Sequence, residues 1–174
     1  MNDLDVISKM HSYVECKRKI YHQGKCNSLY YWNEEAVKFL RNYGLEERKS
    51  LSLEYPYNLP MEFIPDFVRG FFDGDGSVVF RNTKYNIYPQ VSIVSASYNF
   101  IIGLQTVLTN NNIESRVYRD KRNNNIYLKI SKIGEVKKFK DFIYYDENVT
   151  RMDRKYIKFK EIDNIKTKYN MLPA

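Results

Sequence analysis

Cysteine is nearly missing from this chain of 174 residues. Cys16 and Cys26 are the only two, too few for the disulfide framework of a small secreted domain. Two reduced thiols on a hairpin are expected instead. With His11 and His22 they form the pattern H-x4-C-x5-H-x3-C, which lacks the close C-x2-4-C pair of a zinc finger, so no structural zinc is expected. No apolar run approaches the roughly twenty residues that a membrane-spanning helix needs. The early acids of Met1-Asn-Asp-Leu-Asp-Val do not resemble a secretory or mitochondrial leader. No membrane partner is expected, and the expected location is intracellular, either the cytoplasm of a bacterium or phage-infected cell or an organelle. Acids are also in deficit, 21 against 28 Lys and Arg, giving a formal charge of +7 and a sequence pI near 9.2. That balance favours a polyanionic partner without choosing which one.

Against this background one stretch stands out, Phe67-Val-Arg-Gly-Phe-Phe-Asp-Gly-Asp-Gly-Ser-Val78. Leu59 to Glu62 supply a helix start, and Pro65 falls in the first turn, where its missing N–H costs little. Phe63, Phe67 and Phe71 recur at helical spacing, as do Ile64, Val68 and Phe72, while Gly70 and Gly74 lie four apart on one side. Such glycines let two helix backbones approach closely. Gly74 and Gly76 are expected to take the positive φ that ends a helix, so that Asp73 and Asp75 emerge at its C-terminal end. Carboxylates there oppose the helix dipole and repel each other. A hard divalent cation with oxygen ligands would relieve both effects.

Beyond the helix the pattern continues through two hairpins. Ser77–Arg81 and Asn86–Val94 read as strands joined through Asn82-Thr83-Lys84. A helix is expected from Tyr98 to about Asn110. Ser115–Arg119 and Asn125–Ile130 form the second hairpin, turned through Asp120–Asn124, and a last helix runs from about Gly134 to Tyr144. The order α-β-β-α-β-β-α over residues 61 to 144 defines an α+β fold with an antiparallel sheet, one face on the helices and the other exposed. Arg81, Lys84, Gln90, Ser92, Arg116, Arg119, Lys121, Arg122 and Lys129 are candidates for the exposed face or its turns. Arg, Lys, Gln and Asn on such a surface suit DNA base edges and phosphates.

The run Val68 to Gly76 resembles the LAGLIDADG motif of homing endonucleases and of related inteins and maturases, matching best at its glycines and acids. Arg69 departs from it, standing where the motif has a small residue. The resemblance implies the αββαββα fold, with two motif helices packed side by side and the second acid of each at a cleavage centre. It makes Asp75 the metal ligand, with the Gly76 carbonyl as a second contact, and Mg²⁺ the cofactor. Asp73 becomes a helix-end support. Gly70, Phe71, Asp73 and Gly74 are the expected helix–helix interface. Lys132, with Lys129 as a substitute, is the candidate cation near the scissile phosphate, and Ser95 and Gln90 the candidates to position water.

Residues 1–56 are expected to form an N-terminal half-repeat or extension, and 57–174 the LAGLIDADG domain with a basic C-terminal helix from Arg151 to Lys168. In the first part, Tyr13–Tyr21 and Ser28–Trp32 read as a hairpin, followed by a helix over Glu34–Tyr43 capped by Asn33 and ended by Gly44. No acidic motif helix precedes it, so one chain offers one Asp75. The expected activity is therefore metal-dependent cleavage of double-stranded DNA by a homodimer. The alternatives are a maturase acting on group I intron RNA and a DNA-binding regulator that does not cut. Protein splicing is not expected, since no nucleophilic Cys or Ser begins the chain and no His-Asn pair ends it.

Overall fold

Asn33 and Gly44 punctuate the chain much as a reading of its capping residues predicts. In the computed structural model, which describes residues 3–44, 46, 50–82 and 87–169, the elements follow in order. They are α1 (Leu4–Tyr13), β1 (Tyr21–Gln23), β2 (Cys26–Ser28), α2 (Glu34–Arg41), α3 (Ile64–Asp75), β3 (Gly76–Asn82), β4 (Ile87–Ser95), α4 (Tyr98–Asn110), β5 (Arg116–Arg119), β6 (Ile126–Ile130), α5 (Ile133–Ile143) and α6 (Asp153–Tyr169). Lys84, the Thr83 turn, Asn86, the linker residues Arg48 and Lys49, and the side chains of Ile165 and Lys166 lie outside the described residues.

The Asn33 side chain accepts from the Ala36 N–H at 2.9 Å, and that of Ser97 from the Phe100 N–H at 3.3 Å, so α2 and α4 start where a side-chain oxygen satisfies an orphan donor. Gly44 has φ +82, a conformation that favours glycine after a helix. A 3-10 turn over Met61–Phe63 leads into α3, with Pro65 in its first turn.

The N-terminal region corrects one expectation. Tyr13 ends a helix rather than starting a strand, and the hairpin shrinks to Tyr21–Gln23 against Cys26–Ser28, turned at Gly24. This small sheet stands apart from the main one.

Four antiparallel strands form the main sheet in the order β3-β4-β6-β5. Period-two alternation assigns its faces. Val78, Val91, Ile93, Ile126, Leu128 and Ile130 are buried toward the helices, where they meet Val68, Phe72, Phe100, Leu104, Val136 and Phe139. Phe72 sits at the centre of this packing, its ring 5.3 Å from Phe139 and 5.7 Å from Phe159. Burying each such ring contributes about 1.5–3 kcal/mol.

The other face carries Ser77, Ser92, Lys129 and Arg116 in one register row across all four strands, with Val79 and Gln90 in the next. Arg119 is the exception among the expected face residues. It pairs with the buried Ile126 and so has the parity of the helix side, while Lys121 and Arg122 lie in the turn after β5.

Candidate functional site

Helix α3 delivers Asp75 as its last residue, and Gly76 takes the chain directly into β3 with φ −91 and ψ 166. That extended conformation corrects the expected positive φ. Gly76 is needed for space instead, because a Cβ there would fall 2.6 Å from the Phe72 carbonyl oxygen and collide with the Phe72 ring. Gly70 and Gly74 are exposed, and nothing lies within 4 Å of where their Cβ atoms would be. They leave an open strip of backbone along the helix.

Three charged side chains of this region are buried, and each ties α3 to the C-terminal part of the chain. Arg69, 8% exposed, donates to the carbonyls of Thr150 at 2.8 Å and Ile143 at 3.0 Å and pairs with Asp66 at 2.5 Å. Its place in the motif is therefore filled by an anchor rather than by a small residue facing a partner. Asp73, 5% exposed, accepts from the Tyr144 hydroxyl at 3.2 Å and the Met152 N–H at 3.0 Å. Burial pushes its carboxyl above the usual range, against the pull of those two bonds and the charges of Lys155 and Arg69. Burial likewise raises the Tyr144 phenol, and the adjacent Asp73 adds to the shift. Both oxygens of the Asp73 carboxylate are thus taken up by bonds within the chain at the end of α3.

Lys155, on α6, is the functional residue that the sequence concealed. It is 4% exposed and donates to the carbonyls of Phe72, Asp73 and Gly76 at 2.7, 2.6 and 2.6 Å. These oxygens end α3, where the dipole is negative, so a cation here caps the helix and offsets the repulsion expected around Asp73 and Asp75. Burial pushes the Lys155 ammonium down to about 8, the Arg154 charge adds to this, and Asp73, Asp3 and Asp75 oppose it. The charged form accordingly persists at neutral pH. Its neighbours Arg154 and Lys158 on α6 are also engaged within the chain. Arg154 pairs with Asp3 at 2.6 Å, and Lys158 donates to the Val78 carbonyl at 3.2 Å.

Asp75 itself is exposed. It opens on a cleft of about 360 Å³ whose walls include Phe71, Val94, Ser95 and Asn125. The structure thus brings Ser95 to Asp75, together with Asn125, which sequence reasoning assigned only to the start of a strand. It does not bring Gln90 or Lys132. Gly76 is opposite Ile93, whereas Gln90 is opposite Val79, roughly 10 Å further along the sheet at about 3.3 Å per residue. Lys132 follows Ile130, which pairs with Val91, and β6 therefore carries it toward the far end. There it pairs with Glu114 at 2.5 Å beside Arg116 and Lys129. Lys129 lies over the Tyr118 and Tyr127 rings at 5.1 and 5.6 Å, and Gln90 donates to the Ser131 hydroxyl at 2.9 Å.

As a site for a divalent cation, one chain offers the exposed Asp75 carboxylate and the Gly76 carbonyl, which keeps one lone pair beside its bond from Lys155. Hard oxygen donors suit Mg²⁺. Among the described residues no three His, Cys, Asp or Glu side chains converge on one point, so a protein-held centre built by several such side chains is not formed within the chain.

Comparison with known proteins agrees with this geometry. A family described as the LAGLIDADG-like domain matches residues 62–144. The fold is similar to that of an archaeal intron-encoded homing endonuclease, I-Vdi141I, complexed with DNA, at 17% identity and TM-score 0.50 over 60% of this chain and 69% of that one. It is also similar to the LAGLIDADG meganuclease I-CpaMI bound to uncleaved DNA, at 20% identity and TM-score 0.50 over 63% of this chain and 40% of that one. In sequence, 132 residues are 30% identical to a probable translation initiation factor IF-2 of Methanocaldococcus jannaschii, covering 68% of this chain. The chain spans only 11% of that protein's length. The motif helix, the four-stranded antiparallel sheet and the family match together identify residues 62–144 of this chain as a LAGLIDADG-like domain.

Proposed function

We propose that the protein is a site-specific DNA endonuclease that cuts both strands as a homodimer in the presence of Mg²⁺. The observation that carries this reading is Asp75, an exposed carboxylate at the end of a helix buried along its inner face, beside a sheet face that bears Arg81, Lys129 and Arg116. A protein that only binds a polyanion has no use for a carboxylate held there, which disfavours a maturase or a regulator. The structural neighbours bound to DNA support the same reading of the sheet.

In the proposed dimer, the open strip at Gly70 and Gly74 and the adjoining Phe71 side of α3 meet their symmetry mates, which brings two Asp75 carboxylates together. A twofold interface of this kind implies a palindromic or nearly palindromic target. Asp75 and the Gly76 carbonyl of each chain would hold the cation. When bound, Mg²⁺ would lower the pKa of a water and stabilise the leaving oxygen of the phosphodiester. The chain's own groups do the rest. Ser95 and Asn125 orient water in the cleft, Lys155 keeps the helix end in place, Arg81, Arg116, Lys121, Arg122 and Lys129 hold phosphates, and Gln90 and Ser92 face base edges.

The test is incubation with Mg²⁺ and a randomised duplex library, followed by sequencing of cut ends, with Asp75→Asn in parallel. Discrete cuts with short cohesive ends are expected. The substitution should reduce them by about 10²- to 10³-fold, the scale of losing one preorganised electrostatic contact. Absence of cutting together with tight binding to structured intron RNA or intact duplex would replace this reading by the maturase or regulator. Sedimentation as a monomer, both alone and with target DNA, would refute the dimer.

A further inference from the structure

Residues 16–32 concentrate two kinds of side chain and omit a third. Lys17, Arg18, Lys19 and Lys25 carry four positive charges, Tyr21, Tyr30, Tyr31 and Trp32 supply four aromatic rings, and the segment contains no Asp or Glu. All eight side chains are exposed, Trp32 at 75%, Tyr30 at 59% and Tyr21 at 53%. Large rings left in water on a stretch this short need a partner to account for them.

The fold gathers these residues into one surface. The Cys16 thiol contacts the Tyr30 carbonyl at 3.7 Å, and the Tyr21 and Tyr30 rings meet edge to face at 5.5 Å. Lys17-Arg18-Lys19, which lies between Cys16 and Tyr21, is thereby held alongside Tyr30-Tyr31-Trp32. His11 donates its Nε2–H to the Arg18 carbonyl, 2.8 Å away, and fixes the basic run to α1. Among the described residues none of the four cations is in an ion pair.

We propose that this hairpin segment is a binding site for single-stranded nucleic acid, separate from the sheet face, in which the cations track phosphates and the rings stack on unpaired bases. An acidic peptide would satisfy the charges but leave the rings unexplained, and an apolar partner would strand the charges. A duplex offers phosphates, but its bases are already stacked and paired. An unpaired strand satisfies both sets at once. This site does not depend on the nuclease reading, since it needs neither Asp75 nor the sheet.

Trp32 is the only tryptophan in the chain, so its emission reports on this surface directly. The full protein is titrated with a twenty-residue oligo-dT, a twenty-residue oligo-U and inorganic polyphosphate. Both oligonucleotides, or one of them, should quench Trp32, polyphosphate should not, and a preference between the two assigns the sugar of the natural strand. Combined substitution Lys17→Gln, Arg18→Gln and Lys19→Gln should lower the slope of log affinity against log salt by about 2, at roughly 0.7 per phosphate contact on a single strand. Tyr30→Ala should weaken binding about 5- to 100-fold, as expected for one lost base stack. An unchanged circular dichroism melt would show that each variant folds. Equal quenching by polyphosphate would overturn the proposal, as would oligonucleotide binding that leaves Trp32 emission unchanged or survives the triple substitution.

Discussion

Residues 3–44 and residues 62–162 are built on opposite terms. The second region buries Phe72, Phe100, Phe139 and Phe159 completely and holds Arg69, Asp73 and Lys155 almost free of water. The first contains no buried residue, although it has two helices and a hairpin of its own. It is fastened to the rest by polar contacts, Asp3 to Arg154, Asp5 to the Asp153 N–H, and Tyr13 to Thr150. The difference teaches where stability and recognition reside. A packed core fixes the helix end that carries Asp75, while a lightly attached segment leaves its rings and charges facing outward.

Substitutions graded by depth test that contrast. Phe72→Ala should cost the most, about 3–5 kcal/mol by denaturant titration, because it opens a cavity among Phe139 and Phe159. A cost below about 1 kcal/mol would mean that the core does not bear the stability assigned to it. Lys155→Met comes next, at about 1–3 kcal/mol, since three carbonyls at the end of α3 lose a buried donor. An effect no larger than that of a surface change would reduce Lys155 to an ordinary member of α6.

Asp3→Asn should cost least, at most about 1 kcal/mol, because the Arg154 pair is partly exposed. Its pH dependence has a definite sign. The hydrogen bond from Arg154 holds the Asp3 carboxyl below its ordinary 3.8. The pair therefore stabilises fully above that value and is lost as pH falls through the lower folded value. The difference between wild type and Asp3→Asn should fade on acidification below about pH 4. A difference that grows there would refute the pairing.

Much of the domain could be read from local pattern. The period of Phe63 to Phe72 located α3, alternation located the four strands to within a residue or so, and Asn33 marked the start of α2. Face assignment was legible for Arg116, Lys129, Gln90 and Ser92 but failed for Arg119, where one step of register decides the side. The partners of Asp75 were the hardest to read. Lys132 looked suitable by residue type, yet only the pairing of β6 with β4 reveals which end of the sheet it occupies. Arg69 did leave a signal, a charge in the middle of an apolar helix. Lys155 left none, since it sits among Arg154, Lys158 and Lys160 on an amphipathic helix whose pattern does not tell which of its cations is buried. Its burial follows from docking of Phe159 and Ile162 against the end of α3, about 80 residues earlier in the chain and outside any local window.

The bonds from Lys155 to the end of α3 join residues 79 to 83 positions apart in the chain. During synthesis, which proceeds from the N-terminus, the ribosome makes Asp75 long before the lysine that aligns it. A nascent chain stopped anywhere short of α6 carries the carboxylate on a helix end with no cap. The order of translation thus leaves the end of α3 without its cap until α6 has been made, so this part of the fold is completed from its two ends rather than along the chain.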